Sequence, residues 1–150
     1  MKLLYIANIR LPTEKAHGIQ IMNTMREFAL QNGVESTLIV PRRLNPIKKD
    51  SFLYYGFDTM FRIKRFPVID LMPIPFFKPL WFLIGNITFS LSVLAYVPFK
   101  KDAVFYTRDF AIALVLSIIR RPVFYEIHTL PQPPSFFHKT SRGRLRWRGT

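Results

Sequence analysis

The opening forty residues constrain the fold more than any other stretch of this chain. Lys2 to Asn8 contains a compact apolar run, Leu3-Leu-Tyr-Ile-Ala7, of strand length. A polar loop, Ile9 to His17, follows it, and Gly18 closes that loop. Ile21, Met25, Phe28 and Ala29 then fall on one stripe at helical spacing. Gly33 suits a position just past a helix end, where left-handed backbone is open to glycine. Glu35 to Val40 is a second strand, stopped by Pro41. Strand, helix and strand in that order imply a right-handed parallel crossover. The fold class is therefore α/β, a parallel sheet flanked by helices.

Two more strands extend this sheet. Ala103 to Tyr106 is apolar, and Thr107-Arg108-Asp109 follows its carboxyl end. Asp109 is placed to cap a helix over Phe110 to Ile119. That helix is apolar nearly all round and is expected to be largely buried. Arg120 and Arg121 complement its carboxyl-terminal dipole. Pro122 then opens a last strand through Ile127, while Pro131, Pro133 and Pro134 forbid its continuation. His128 thus falls just past the strand's carboxyl end. Open α/β sheets bind ligands at that edge, so His128 is expected to face a cleft served by the earlier strand ends. Glu126 reads as structural, paired to a lysine or arginine. Gly18 has two readings: a close backbone approach to a phosphate or sugar at a helix amino terminus, or an ordinary loop glycine.

Composition narrows the partners. The chain of 150 residues is 49% hydrophobic, which suits a packed core rather than a disordered polymer. It has no cysteine, which excludes disulfides and thiolate metal sites and agrees with a cytosolic setting. Lys2 to Ile6 is too short an apolar run to be a secretory leader. A net charge of +13 favours anionic partners: nucleic acid, anionic lipid or phosphorylated small molecules. Arg42, Arg43, Lys48 and Lys49 form a basic loop, and Phe52 to Phe66 interleaves aromatics with cations. Such interleaving can bind single strands of nucleic acid. No nucleic-acid motif accompanies it, so short strands with a solvated basic face are the preferred reading, and nucleic acid is not expected as a partner.

Pro67 to Pro79 must be a loop or extended connection. Leu80 to Phe99 then carries no charge, and its length is close to that of a membrane span, about 20 residues. Asn86, Thr88, Ser90 and Ser92 interrupt it, and Gly85 weakens it as a helix. A buried helix of the α/β layer and a helix lying on a membrane surface fit equally. A span ranks last, because it would divide the sheet across a bilayer. Lys78, Lys100 and Lys101 suit peripheral contact with an anionic membrane. From Ser135 to Thr150 the chain is basic, without an acid, and reads as a disordered or truncated tail.

Three blocks carry a family resemblance. Pro12-Thr-Glu-Lys-Ala-His-Gly18-Ile-Gln-Ile-Met, Tyr106-Thr-Arg-Asp109 and Tyr125-Glu-Ile-His128-Thr-Leu-Pro131 resemble the amino-terminal domain of family 4 glycosyltransferases. The likeness runs from Lys2 to about Pro134 and is poorest between Asn45 and Phe99. It implies a Rossmann-like, acceptor-side half of a GT-B enzyme. Such enzymes transfer a hexosyl group, with retention, from a nucleotide-sugar to a saccharide or lipid-linked acceptor. They need no cofactor and no metal. Carried over by motif, His128 is the catalytic residue, and Gly18, Arg108 and Thr129 contact substrate. The family's nucleotide-binding half has no counterpart in these residues. The expectation is one domain, 1–134, followed by the tail, 135–150, and inactive in sugar transfer without that second half. Its setting would be polysaccharide or glycolipid synthesis, cytoplasmic or peripheral at the inner membrane face. A different class stays open: a non-catalytic basic module that binds anionic lipid or nucleic acid.

Overall fold

Alternation along the strands lets one sheet carry two cores. The computed structural model describes residues 1–58, 60–70, 78–100 and 102–127. In β1 (Lys2–Ile6), Leu4 and Ile6 face one side while Tyr5, and Ala7 beyond it, face the other. In β2 (Glu35–Pro41), Ile39 opposes Leu38 and Val40 in the same way. β3 (Arg62–Phe66), β4 (Ala103–Thr107) and β5 (Val123–Tyr125) complete the sheet. All pairings are parallel, in the order β3-β2-β1-β4-β5. Tyr5 stands opposite both Leu38 and Tyr106, so β1 is the central strand. This is an α/β, Rossmann-like fold. Its strand order reverses between β1 and β4, and ligands in such sheets bind outside the carboxyl ends at that reversal.

Helix α1 (Ala16–Leu30) covers one face with buried Ile21, Met22 and Met25. Its chain turns after Leu30 through Gly33, which takes the left-handed conformation at φ 75°. The short helix α2 (Ser51–Tyr55) adds Phe52 and Tyr55 to that core. Asp50 caps α2 by accepting from the Phe52 and Leu53 amides. On the other face lie α3 (Lys78–Tyr96), a 3-10 turn at Val97–Phe99, and α4 (Phe110–Ile118). Phe89, Val93, Val97, Ile112 and Leu116 form their core with Ile39 and Phe105. Asp109 caps α4 through the Ala111 and Ile112 amides, as its position suggested.

Several expectations need correction. Pro41 is the last residue of β2 rather than its stop, because the β1 ladder has already ended at Ile39 and needs no amide from it. Phe52 to Phe66 is a helix and one strand, not a set of strands, because the Asp50 cap starts a helical turn. The last strand ends at Tyr125, although the Glu126 amide still donates to the Thr107 carbonyl at 2.9 Å. Helix α4 is only half covered: Phe110 and Ile118 remain 67% and 70% exposed, because a helix on a sheet presents only one stripe to it. Leu80 to Phe99 is long and apolar enough to cross a membrane, a test that core helices also pass. Here it lies on the sheet. The polar residues that interrupted it tie it down: Asn8 Nδ2 donates to Asn86 Oδ1, the Ile69 amide donates to Thr88 Oγ1, and Ser92 Oγ donates to the Pro67 carbonyl. The tail, 135–150, lies outside the described residues.

Candidate functional site

Parallel strands place their following loops at one edge, and here those loops line an open cavity of about 720 Å³. Asn8 and Arg10 come from the loop after β1, Lys15 and His17 from the start of α1, and Arg43 to Pro46 with Lys48 from the loop after β2. Phe82, on the first turns of α3, lines it as well. Arg10, Lys15, Arg43 and Lys48 line the cavity against one acid, Asp70. The balance favours an anionic ligand.

A chain of hydrogen bonds runs from the lining residues Arg43 and Asn8 to α3 behind them. Arg43 Nη2 donates to Asn8 Oδ1 at 2.8 Å, and Asn8 Nδ2 donates to Asn86 Oδ1 at 2.6 Å. Strand end, basic loop and α3 are thereby joined. Partial burial pulls the Arg43 guanidinium below its usual value, opposed by Asp70 and assisted by Arg10. An arginine keeps its charge through such a shift. Asp70 also accepts from the Leu44 amide at 2.8 Å, which fixes the basic loop. Asn45 Nδ2 donates to the Pro12 carbonyl at 2.7 Å and ties that loop to the one after β1. At the rim, His17 is held below the usual imidazole value by burial and by the nearby Lys15 and Arg108 charges. It therefore lies in a positive field, where an incoming anion would draw a proton onto it.

Gly18 and Arg108 share this edge but do not line the cavity. Gly18 is buried beneath Thr13 and Tyr55. A Cβ there would come within 3.0 Å of Thr13 Cγ2 and of the Tyr55 hydroxyl. Tyr55 in turn clamps the loop: its hydroxyl donates to the Thr13 carbonyl at 2.7 Å and accepts from the Thr13 amide at 2.8 Å. The glycine thus makes room for that clamp. Arg108, 13% exposed, pairs through Nε with Glu126 Oε2 at 3.6 Å. Glu126 is the structural partner expected of it, and Tyr106 Oη also donates to it at 2.8 Å. Burial, followed by the Glu126 hydrogen bond and charge, pushes the Tyr106 phenol up to about 12. The buried Tyr5 phenol, beside Tyr106 and Arg108, is raised by burial above the usual range.

His128 and Thr129 lie outside the described residues. Residue-by-residue reading missed Asn8, His17 and Asn86 as one group. The only signal was that the first two flank the first strand-to-helix loop; nothing in sequence joins Asn86 to them. The cations of the aromatic-basic stretch stay at the surface, each with a partner from the protein. Arg62 pairs with Glu35, Lys64 donates to the Tyr96 hydroxyl, and Arg65 donates to Ser51 Oγ. Among the described residues there is no cluster of histidine and acidic side chains fit to hold a metal. Comparison with family models, with curated proteins and with solved structures finds no match. The likeness to family 4 glycosyltransferases therefore rests on its three sequence blocks.

Proposed function

We propose that this chain is the acceptor-side domain of a retaining, GT-B-type glycosyltransferase, with a nucleotide-sugar as donor and a saccharide or lipid-linked glycan as acceptor. One observation carries the reading. The loop holding the first block follows β1 and the turn holding the second follows β4, and because these are neighbouring parallel strands both segments leave the sheet at the same edge. A parallel sheet ordered 3-2-1-4-5 and a cation-lined cavity at that edge support it. The three blocks themselves supply the chemistry. In this reading His128 contacts the transferring sugar, Thr129 and Arg108 assist substrate binding, and Gly18 shapes the loop that faces it. Transfer requires a second, nucleotide-binding domain and no metal. The work is done in the cytoplasm, at the inner face of the membrane.

The test is ligand-observed NMR of the 150-residue chain with a panel of acceptor glycans, followed by sugar transfer once a nucleotide-binding GT-B half is joined to it. Glycan contact that is lost in His128→Ala, and transfer in the joined protein only, are the expected results. Tight binding of RNA without any glycan contact would move the chain to the basic-module class. Lys64 and Arg65 already have partners in Tyr96 and Ser51, which weighs against that class.

A further inference from the structure

Two features outside the sheet's own logic sit side by side. The first is the cavity's composition: four cations line it together with the Phe82 side chain, 59% exposed. The second is the outer surface of α3 and α4. Inward, α3 uses Trp81, Gly85, Phe89, Val93 and, past its end, Val97, spaced every four residues. Outward it shows Leu80, Leu83, Ile87 and Leu91, each about half exposed. Helix α4, packed beside it, shows Phe110, Leu114 and Ile118. Between them the two helices contain a single charged residue, Lys78. A helix whose outer face meets water normally carries charges there. An apolar patch of this extent marks an interaction surface. Its occupant is indicated by what adjoins it. Phe82 lines the cavity and projects from the same helical turn as Leu80 and Leu83. One ligand could therefore place an anionic head among the cations and pass a hydrocarbon chain over Phe82 onto the outer helix face.

We infer that the cavity takes the phosphate head of a membrane lipid, a lipid-linked phosphate, while the outer faces of α3 and α4 lie in the interfacial layer of the bilayer. Arg43, held by Asn8, supplies a fixed fork for phosphate oxygens, and Lys15 and Lys48 supply mobile charge. Leu80, Leu83, Ile87 and Leu91 supply the hydrocarbon contact. The lipid's role as acceptor rests on the sugar-transfer reading; its binding does not.

The experiment is flotation of the full chain with phosphatidylcholine vesicles that contain polyprenyl phosphate, phosphatidylserine or neither. Selective flotation with polyprenyl phosphate is expected. Lys15→Gln with Lys48→Gln, both at exposed positions, should weaken it about tenfold, the size of a lost charge-assisted contact. Leu83→Gln with Ile87→Gln should abolish flotation while leaving thermal unfolding unchanged. The His17 imidazole resonances should titrate at higher pH with the lipid bound. Equal flotation with phosphatidylserine and polyprenyl phosphate would overturn the inference, since surface charge alone would then explain it. So would binding of soluble glycerol phosphate as tight as that of the lipid, or no flotation at all. If the joined enzyme transfers sugar to a water-soluble acceptor and this chain does not float, the lipid inference fails and the glycosyltransferase reading stands. Flotation without sugar transfer would reverse that outcome.

Discussion

Helices α1 and α3 cover opposite faces of one sheet, and their inner stripes obey the same rule. Ile21, Met22 and Met25 do for α1 what Phe89 and Val93 do for α3. Their outer faces differ. α1 shows Gln20, Asn23, Arg26 and Glu27 to solvent, whereas α3 shows Leu80, Leu83, Ile87 and Leu91. Folding needs only the inner stripe, because only that stripe leaves water when the helix docks. The outer stripe is free to follow whatever medium the helix meets. α1 also exposes Ile19 and Leu30, so the difference is one of extent: the α3 side carries the larger apolar surface.

The largest effect should come from the inner stripe of α3. Phe89→Ala removes a fully buried ring and should lower stability by about 3–5 kcal/mol in urea unfolding. Leu83→Gln, on the same helix but outward, should change it by less than about 0.5 kcal/mol. Equal losses would mean that the outer stripe is part of the core after all. Next is Gly18→Ala in α1. The added methyl meets Thr13 and Tyr55, and overpacking of that kind costs about 1–3 kcal/mol. Tyr55→Phe should itself cost about 1–3 kcal/mol by leaving the Thr13 amide and carbonyl without their partner, and its loss should be less than additive with that of Gly18→Ala, because both act on the same contact. A neutral Gly18→Ala would show that the loop yields and that the glycine serves something else.

The remaining predictions concern ends and charges. The chain leaves α4 with the Arg121 amide bonded to the Leu116 carbonyl and the Arg120 amide to Ser117, with Arg120 at φ 54°. Glycine occupies that backbone region without penalty, so Arg120→Gly should raise stability by about 1 kcal/mol. The gain should appear as a higher thermal midpoint. Smallest at neutral pH is the tyrosine pair on the α1 side of the sheet. Tyr106 titrates at about 12 in the folded chain against 10.0 for the free phenol. The unfolded state therefore loses that proton first, and stability falls as pH rises from 10.0 toward about 12. Ultraviolet difference titration should show late ionisation of Tyr106, and Glu126→Gln should bring it earlier by removing the adjacent charge.

Much of the fold was legible because its signals are local. The β-α-β opening, the Asp109 cap and the strand opened by Pro122 depend on residue type at fixed spacing. What failed locally had a tertiary cause. Pro41 is tolerated in β2 because the neighbouring ladder has already ended, which no residue near Pro41 reveals. Helix α4 looked buried because apolar residues surround it, but burial is decided by how many neighbours arrive, and on its outer side none of the described elements does.

The candidate site divides in the same way. Sequence alone placed Arg108 just past a strand end and Gly18 at the close of the loop after β1, although α1 has already begun at Ala16 and takes Gly18 into its first turn. Chain direction in a parallel sheet fixes which ends share an edge. Sequence also determined the positive charge and the apolar length of Leu80 to Phe99. Only the tertiary structure brought Arg43 onto Asn8 and Asn8 onto Asn86, contacts that span 35 and 78 residues of chain. Only the tertiary structure sorted Asn86, Thr88 and Ser92 to the protein side of α3 and left leucines outside. The physical reason is one of range. Propensity, capping and periodicity act over a few residues, whereas a cavity exists only where distant segments stop short of touching.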